Sequence, residues 1–221
     1  MEENIYQQDP WRIFRILAEF VEGFDKMLSI GPSVSFFGSS RIETIDTPYY
    51  NLANEIAKKV AQKGFSVITG GGYGIMEAAN KGAQEAHGKS CGLCINFISQ
   101  EHPNAYIDHD YLLKFRHFFV RKVMFVKYTQ GFVVLPGGFG TLDELFESLT
   151  LIHTHKINRF PIFLVGKSYW QGLLDWLKNT VAMQKNISLE ALESIIVTDD
   201  PDEIANKIKE HYEKTKHLEN F

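Results

Sequence analysis

The chain has few features of a secreted, membrane-bound or nucleic-acid-binding protein. Its 221 residues include only two cysteines, too few for a disulfide scaffold, which favours a reducing, cytoplasmic setting. No apolar run approaches the length of a membrane-spanning helix, and the first residues lack the basic region and apolar stretch of a signal peptide. The formal net charge of −4 gives no general attraction to nucleic acid or to an anionic membrane. We therefore expect a cytoplasmic protein with no nucleic-acid or membrane partner.

Hydrophobic residues make up 44% of the chain, enough to bury a sizeable core. We interpret residues 31–221 as one domain, preceded by a helical arm at residues 1–30. From residue 34 onward, short apolar runs alternate with segments of helical periodicity. Strands are predicted at 34–37, 65–68, 91–97, 132–135, 161–165 and 195–197, and helices at 47–63, 75–87, 113–128, from 141 onward, 169–180 and 201–214. This order predicts a Rossmann-like, doubly wound α/β fold, with a mostly parallel sheet and helices on both faces.

The arm is predicted to be an amphipathic helix. Asp9 and Pro10 fit its N-cap and its first helical position. Apolar residues then recur at helical spacing on one stripe: Ile13, Leu17, Phe20, Val21, Phe24 and Met27. The stripe is too apolar and aromatic to stay in water. It packs either on its own domain or on another subunit, and the sequence leaves both arrangements open.

Three polar or glycine-rich turns follow predicted strands at the same edge of the sheet. They are residues 38–41 (GSSR), 69–74 (TGGGYG) and 136–141 (PGGFGT). Ligands of parallel α/β sheets bind beyond the carboxyl ends of the strands. The candidate ligand contacts within these turns include Ser39, Gly71, Gly72 and Gly137.

Familiar nucleotide-binding motifs are absent from these turns. A dinucleotide fingerprint places G-x-G-x-x-G after the first strand and an acidic residue at the end of the second. Here the triple glycine follows the second strand, and Thr69 ends that strand. Neither glycine run carries the G-K-[ST] of a P-loop. The pattern therefore disfavours nicotinamide chemistry and NTP hydrolysis.

The PGGFGT turn lies between an apolar strand and a helix. Its glycines allow the backbone to approach a ligand closely, and the N–H groups at a helix start suit an anion. Thr141 and Glu144 also fit a capping box, so a simple capped helix is the alternative interpretation. As a functional site, the turn is expected to hold a phosphate while Glu144 points into the pocket.

Arg121 lies in a segment, 118–126, that is apolar on nearly every side. Burial of an unpaired guanidinium is costly, so this side chain needs an anion. The anion is either one of the chain's own carboxylates, or a phosphate or leaving base in a pocket. His117 lies one turn earlier and is placed to share that face.

Together these motifs resemble the signature of the LOG (LONELY GUY) family. The resemblance rests on residues 70–77 (GGGYGIME), on Arg121-Lys122 with Met124, and on residues 136–144 (PGGFGTLDE), and it covers residues 34–165. Members of this family are cytokinin riboside 5′-monophosphate phosphoribohydrolases, often mislabelled as lysine decarboxylases, and some bacterial relatives act on AMP. The resemblance implies hydrolysis of the N-glycosidic bond of a purine nucleoside 5′-monophosphate, which releases the free base and ribose 5-phosphate.

The resemblance also implies particular site residues. Arg121 and Glu144 match the family's catalytic arginine and glutamate. The matches to its substrate contacts are Glu101, Lys122, Gly138, Phe139, Gly140, Thr141, Leu142, Asp143 and Thr150. The family places its site near a homodimer interface, and forms with longer N-termini assemble further. A homodimer or a higher homo-oligomer is therefore expected.

These residue types suit the reaction. Cleavage builds positive charge on the ribose, and a carboxylate such as Glu144 can stabilise that charge, hold ribose hydroxyls or orient water. Arg121 can neutralise the phosphate or the departing base, acting through its charge because it stays protonated. The alternative function is a non-catalytic nucleotide- or cofactor-binding Rossmann-like protein, which would not require Glu144.

Other candidate sites carry less weight. Cys91 and Cys94 have redox spacing but lie in a predicted strand, where residues three apart face opposite sides. His153 and His155 diverge on a helix, and no further ligands have metal-binding spacing. No Schiff-base lysine is identifiable for a pyridoxal-phosphate decarboxylase, so we expect neither cofactor nor metal. Tyr169 is predicted to lie in the core.

Overall fold

The computed structural model describes residues 9–41, 47–95, 102–215 and 220–221. Within these ranges the strands are β1 (Ser33–Phe37), β2 (Ser66–Thr69), β3 (Ser90–Ile95), β4 (Leu112–Phe115), β5 (Thr129–Val134), β6 (Ile162–Leu164) and β7 (Ile195–Val197). They form one parallel sheet in the order β4-β3-β2-β1-β5-β6-β7. Strands β1, β2 and β5 at its centre are fully buried, as expected for short apolar runs covered on both sides.

The helices cover both faces of the sheet. They are α1 (Asp9–Ile30), α2 (Pro48–Gln62), α3 (Ile75–Glu85), α4 (Phe118–Lys127), α5 (Phe139–His153), α6 (Lys167–Trp176) and α7 (Pro201–Thr215). One hydrophobic cluster contains residues of α1, α4, α5 and α6, and a second contains residues of α2, α3 and α7. The prediction of a Rossmann-like, doubly wound fold is confirmed.

Helix ends follow the local chemistry of the sequence. Thr47 is the N-cap of α2 and Pro48 its first residue, while Gly64 follows its C-cap with φ +92°. The Asp200 carboxylate accepts hydrogen bonds from the N–H groups of Asp202 (2.9 Å) and Glu203 (3.3 Å), which caps α7. These helix boundaries agree with those predicted.

The predicted helix 113–128 is wrong at its N-terminal end. Residues 112–115 form the edge strand β4, and Leu113 lies opposite Leu93 of β3. Leu113 and Phe115 are buried while Lys114 between them is exposed, which is the alternation of a strand. Only Arg116 and His117 separate the apolar residues of β4 from those of α4, so the sequence pattern is compatible with one helical period across both. Helix α4 begins only at Phe118, and its first two turns carry the Arg-Lys pair.

The chain order creates a switch point at the centre of the sheet. Strand β1 pairs with β2 on one side and with β5 on the other. The chain first builds outward from β1 to β4, then returns to β5 and builds toward β7. The helices that follow β1 and β5 pack in different hydrophobic clusters, α2 in one and α5 in the other, and a crevice opens at the carboxyl ends of these strands.

One face of α1 packs against α4. A Cβ atom on Gly23 would lie 2.7 Å from Met124 Cε, so a larger residue there would require the Met124 side chain to move. The Glu19 carboxylate accepts hydrogen bonds from the N–H groups of Arg116 (3.2 Å) and His117 (3.3 Å), just ahead of α4. His117 Nδ1 is also 3.1 Å from Glu19 Oε2, so this ring ties α4 to α1. It does not share the face of Arg121, contrary to expectation.

Part of the apolar surface of α1 is exposed. Of the predicted stripe, Met27 is buried and Phe20 and Phe24 pack on the core, whereas Ile13, Leu17 and Val21 are exposed. The stripe therefore packs over only part of its length, because Ile13 and Leu17 lie toward the N-terminal end of the helix and Val21 lies at the margin of the stripe. Within the described ranges, no helix is both long enough and apolar enough to span a bilayer.

Candidate active site

Three loops meet where β1, β2 and β5 end. The Ser39 N–H donates to the Pro136 carbonyl at 3.0 Å, and the Ile75 N–H donates to the Ser39 carbonyl at 3.0 Å. The backbones approach so closely that a Cβ on Gly137 would lie 2.9 Å from the carbonyl carbon of Gly38. Glycine is therefore required at this contact, and the three turns form one continuous rim.

The triple-glycine turn is held by hydrogen bonds with Thr69, at the end of β2, and with Asn104, in a more distant loop. Gly71 has φ +77°, and a Cβ there would lie 2.2 Å from Cys94 Sγ. The Gly71 N–H donates to Thr69 Oγ1 at 3.0 Å, and the Asn104 N–H donates to the Gly71 carbonyl at 3.0 Å. The Asn104 side chain donates to the Gly72 carbonyl at 2.9 Å. The turn is thus fixed from both sides.

A buried asparagine at the centre of this network connects α3 to the turn. Asn80 is fully buried, and its Oδ1 accepts hydrogen bonds from Thr69 Oγ1 (2.6 Å) and Asn104 Nδ2 (3.0 Å). Its amide nitrogen donates to Ser90 Oγ (2.8 Å) and to the Cys91 carbonyl (3.2 Å). Because these buried polar groups are satisfied, the network is rigid.

Helix α5 starts within the PGGFGT turn, two residues earlier than predicted. Its N-cap is Gly138, and no side chain caps its first N–H groups. Thr141 lies in the first turn of the helix, so the predicted capping box with Glu144 does not form. The uncapped N-terminus faces the crevice with the positive end of the helix dipole. A Cβ on Gly138 or Gly140 would meet no atom within 4 Å, so both glycines border open space.

Glu144 points into the crevice, as predicted. The residue is only 4% exposed, and Oε2 is buried with no hydrogen-bond partner in the described part of the chain. Burial raises the pKa of this carboxyl to about 7, against the opposing charges of Lys122 and Arg121. Ionisation of Glu144 is therefore energetically unfavourable, and its Oε2 atom is available to a ligand.

Arg121 faces the same crevice from α4. Its guanidinium lies 5.0 Å from the ring centre of Phe118 and 5.7 Å from that of Phe125. Nε is buried without a hydrogen-bond partner, and no carboxylate of the described ranges lies within ion-pair distance. Burial lowers the pKa of Arg121, and the Glu144 charge is the largest influence that raises it. The structural salt bridge considered from the sequence does not form among these residues.

The crevice has a volume of about 530 Å³ and contains most of the predicted site residues. Those that line it are Ser39, Gly71, Gly72, Arg121, Gly138, Phe139, Gly140, Thr141, Asp143 and Glu144. Phe139 is 92% exposed at its edge. Residues that sequence reasoning did not assign to a pocket also line it: Met76, Cys94, Lys114, Phe118 and Phe125.

Five predicted contacts lie elsewhere or outside the description. Gly137 lies behind the turn, against Thr141. Leu142 packs on the core, and Thr150 is exposed with its hydroxyl donating to the Phe146 carbonyl at 2.7 Å. The Lys122 ammonium lies among carboxylates of α5. Glu101 lies outside the described residues.

Tyr169 was predicted to be a core residue, and this prediction was wrong. Its ring is half exposed, and its hydroxyl donates to the Gly137 carbonyl at 2.7 Å. It therefore fixes the PGGFGT turn from α6. Nothing in the local sequence signals this contact, because the two residues are 32 positions apart.

The cysteines and histidines form no second site in the described ranges. Cys91 is buried and Cys94 partly buried, both are free thiols, and burial raises the pKa of Cys94 to about 11. His153 and His155 are exposed at the end of α5. No group of three potential metal ligands occurs among the residues that the structure describes.

Sequence comparison identifies relatives of this chain. Residues 76–208 match a family model described as possible lysine decarboxylase. A protein from Mycobacterium tuberculosis named cytokinin riboside 5′-monophosphate phosphoribohydrolase is 31% identical over 152 residues, or 67% of this chain and 79% of that protein. A pyrimidine/purine nucleotide 5′-monophosphate nucleosidase from Escherichia coli is 25% identical over 75% of this chain and 38% of that protein.

Solved structures share the fold at lower identity. The molybdenum cofactor binding protein of Rippkaea orientalis matches with a TM-score of 0.58 and 20% identity, over 81% of this chain and 94% of that chain. The molybdenum cofactor carrier protein of Chlamydomonas reinhardtii matches with a TM-score of 0.56 and 18% identity, over 82% and 99%. Identities this low support the fold alone. The family model and the mycobacterial relative go further, and they show that the chain belongs to the LOG family.

Proposed function

We propose that the chain hydrolyses the N-glycosidic bond of purine nucleoside 5′-monophosphates, releasing free base and ribose 5-phosphate. The observation that carries this proposal is the Glu144 carboxylate, buried yet open to a crevice that also holds Arg121. A protein that only binds nucleotide gains nothing from a carboxylate that burial destabilises. The names of the mycobacterial and E. coli relatives support the same reaction class.

Glu144 is proposed to act on the sugar. As the bond to the base breaks, positive charge develops on the ribose ring. A carboxylate without a fixed partner can stabilise this charge, or orient the water that attacks the ring. Because burial weakens its hydration, its interaction with a cation in the crevice is stronger than it would be in water.

The 5′-phosphate is proposed to bind at the start of α5. The uncapped N–H groups there, and the open space beside Gly138 and Gly140, suit an anion that approaches the backbone. Asp143 is on the same helix but pairs with Lys122 at 2.8 Å, which reduces its repulsion of a phosphate. Ser39, Gly71 and Gly72 would line the remaining walls.

Arg121 is proposed to supply positive charge opposite the negative charge of the reaction. It remains protonated even though burial lowers its pKa, so it stabilises charge and does not transfer a proton. The aromatic rings of Phe118 and Phe125 hold the guanidinium in place. Its guanidinium can stabilise negative charge on either the phosphate or the departing base.

We further propose that the protein is a cytoplasmic homo-oligomer that pairs through α1. Apolar residues that are 63% to 70% exposed lie on its outer face at coiled-coil spacing: Trp11, Phe14, Val21 and Leu28. Arg15 lies beside the N-terminal half of this stripe, and Glu22 and Asp25 lie beside or within its C-terminal half. An antiparallel pair with a second copy brings these opposite charges together, which favours a copy of this chain as the partner.

The activity is tested with purified protein and four compounds: AMP, isopentenyladenosine monophosphate and the two corresponding nucleosides without phosphate. Free base is measured by chromatography. Release of base from the monophosphates alone supports the reaction and the phosphate site at α5, and the faster substrate identifies the preferred base. Binding of the nucleotides without release of base from any compound would instead support a binding protein.

A further inference from the structure

The ammonium of Lys122 is enclosed by carboxylates of α5. Its Nζ lies 2.6 Å from Glu147 Oε2, 2.8 Å from Asp143 Oδ2 and 3.6 Å from Glu144 Oε1. The contacts to Glu147 and Asp143 are within hydrogen-bond distance, whereas the contact to Glu144 is an ion-pair contact alone. The side chain is only 16% exposed, and Lys122 is not among the described residues that line the crevice. Its ammonium group is thus occupied mainly by carboxylates of the protein.

The charges around Glu144 explain what this lysine does. Glu144 faces two cations of α4, Lys122 and Arg121, and two anions of its own helix, Asp143 and Glu147. Burial and the two anions raise the pKa of Glu144, and the Lys122 charge is the largest influence that lowers it. Lys122 also neutralises the two anions through its short contacts with both. Loss of its charge would therefore favour the protonated form of Glu144 in two ways.

On the basis of the proposed function, we infer that Lys122 is a positioning residue, which favours the ionised form of Glu144 and holds its carboxylate toward the crevice without touching the substrate. The family resemblance instead implies a substrate contact for this lysine. The two roles differ in their consequences. If Lys122 contacts the substrate, its removal weakens substrate binding at every pH. If Lys122 only favours the ionised form of Glu144, its removal lowers turnover only at those pH values where Glu144 becomes protonated.

The test compares Lys122→Met, which removes the charge but keeps the length of the side chain, with Lys122→Arg, which keeps the charge. Lys58→Met is the matched control, because Lys58 pairs with Glu85 at 3.4 Å on the surface between α2 and α3. kcat and KM for AMP are measured from pH 5 to pH 9 in each variant. Circular dichroism verifies that each variant is folded.

For Lys122→Met we expect the acidic limb of kcat to move upward by about one pH unit or more, since a unit charge at this distance has that effect. kcat falls by about tenfold at pH 6 and recovers to within about threefold of wild type at pH 9, while KM changes by less than about twofold. Lys122→Arg and Lys58→Met keep the wild-type profile. A KM raised about tenfold at all pH values, or a pH profile that does not move, would overturn the inference.

A second readout does not depend on activity. The carboxyl carbon of Glu144 is followed by NMR in protein labelled with ¹³C-glutamate, and its signal is assigned through its loss in Glu144→Gln. The wild-type midpoint is expected near pH 7, and the Lys122→Met midpoint about one unit higher. If wild-type protein releases no base from any nucleotide, the proposed function fails, and this titration still tests the role of Lys122. An unchanged midpoint would contradict that role whatever the activity.

Discussion

At the scale of single residues, the proposed site centres on two ionisable side chains that the fold buries, Glu144 and Arg121. Burial raises the pKa of Glu144 to about 7 and lowers that of Arg121, so both ionised forms are destabilised in the unliganded protein. Groups whose charged forms are costly are frequent at functional sites, because a ligand of opposite charge relieves the cost. A substrate that carries a phosphate and develops positive charge on its ribose can stabilise the charged forms of both Arg121 and Glu144.

Arg121→Ala is expected to lower kcat/KM for AMP by about a hundredfold or more, because a preorganised charge aimed at the reacting groups typically contributes that much. The kinetics of base release give this ratio directly. Arg159→Ala is the control, because Arg159 is exposed and is not among the residues that line the crevice. Its nearest described carboxylate, that of Glu193, is 3.9 Å away. Activity of Arg121→Ala close to that of wild type would exclude Arg121 from the mechanism.

Glu144→Gln is expected to abolish most activity yet stabilise the protein at alkaline pH. A raised pKa means that the folded protein binds the proton more tightly than the unfolded chain does. The stability from this proton is present in full below the usual glutamate pKa, and it is lost as the pH rises through about 7. Glutamine resembles the protonated form at every pH. We therefore expect a gain in unfolding free energy of roughly 1–3 kcal/mol at pH 8 and a much smaller gain at pH 5.

Denaturant unfolding of both proteins at the two pH values measures this difference. A stability gain that is equal at pH 5 and pH 8 would show that Glu144 does not titrate near neutrality in the folded protein.

Single residues were predictable where their chemistry is local. The location of Arg121 in the crevice was predicted because a guanidinium within an apolar segment needs an anion, and that of Glu144 because it matches the glutamate of the family motif; their catalytic roles stay predictions. Asn104 and Tyr169 were missed. Each acts through hydrogen bonds to glycine carbonyls about 32 positions away, so only the tertiary fold brings the partners together.

At the scale of elements, the geometry of the glycine turns decides where a ligand can bind. Tyr169→Phe removes the one side-chain hydrogen bond to the Gly137 carbonyl among the described residues. We expect the melting temperature to fall by about 2–4 °C, since one hydrogen bond contributes about 1 kcal/mol to stability, and kcat/KM for AMP to fall by roughly three- to tenfold, since the turn is then less firmly placed. Steady-state kinetics and thermal unfolding check both parts. Tyr212→Phe, which alters a tyrosine packed on Phe65, is expected to keep full activity.

Helices and strands were predictable where the sequence shows one clear hydrophobic pattern. The buried central strands appeared as short apolar runs, and α2 had clear start and stop residues. Strand β4 was missed because its four residues adjoin α4 without a glycine or proline between them. The start of α5 was placed late because Thr141 and Glu144 fit a capping box, whereas the glycine at 138 takes the cap and leaves the N-terminus open for a ligand.

At the scale of the whole molecule, the outer face of α1 is the surface through which we propose that two copies pair. Val21→Glu places a charge within its apolar stripe, and in a symmetric pair it does so twice. We expect wild type to be a dimer or larger, and the variant to shift toward monomer by about tenfold or more in dissociation constant. Sedimentation equilibrium measures this shift. Lys26→Glu, on the same helix but off the stripe, is the control, and a monomeric wild type would contradict the proposed pairing.

The central claim is that the chain cleaves the bond between base and sugar and leaves the sugar phosphate intact. The most direct measurement is the product balance after incubation with AMP, with adenine, ribose 5-phosphate and inorganic phosphate quantified together. We predict equal amounts of adenine and ribose 5-phosphate without inorganic phosphate, and a rate at least about a hundredfold lower for Glu144→Gln. Adenosine with inorganic phosphate, or equal rates for the two proteins, would contradict the account.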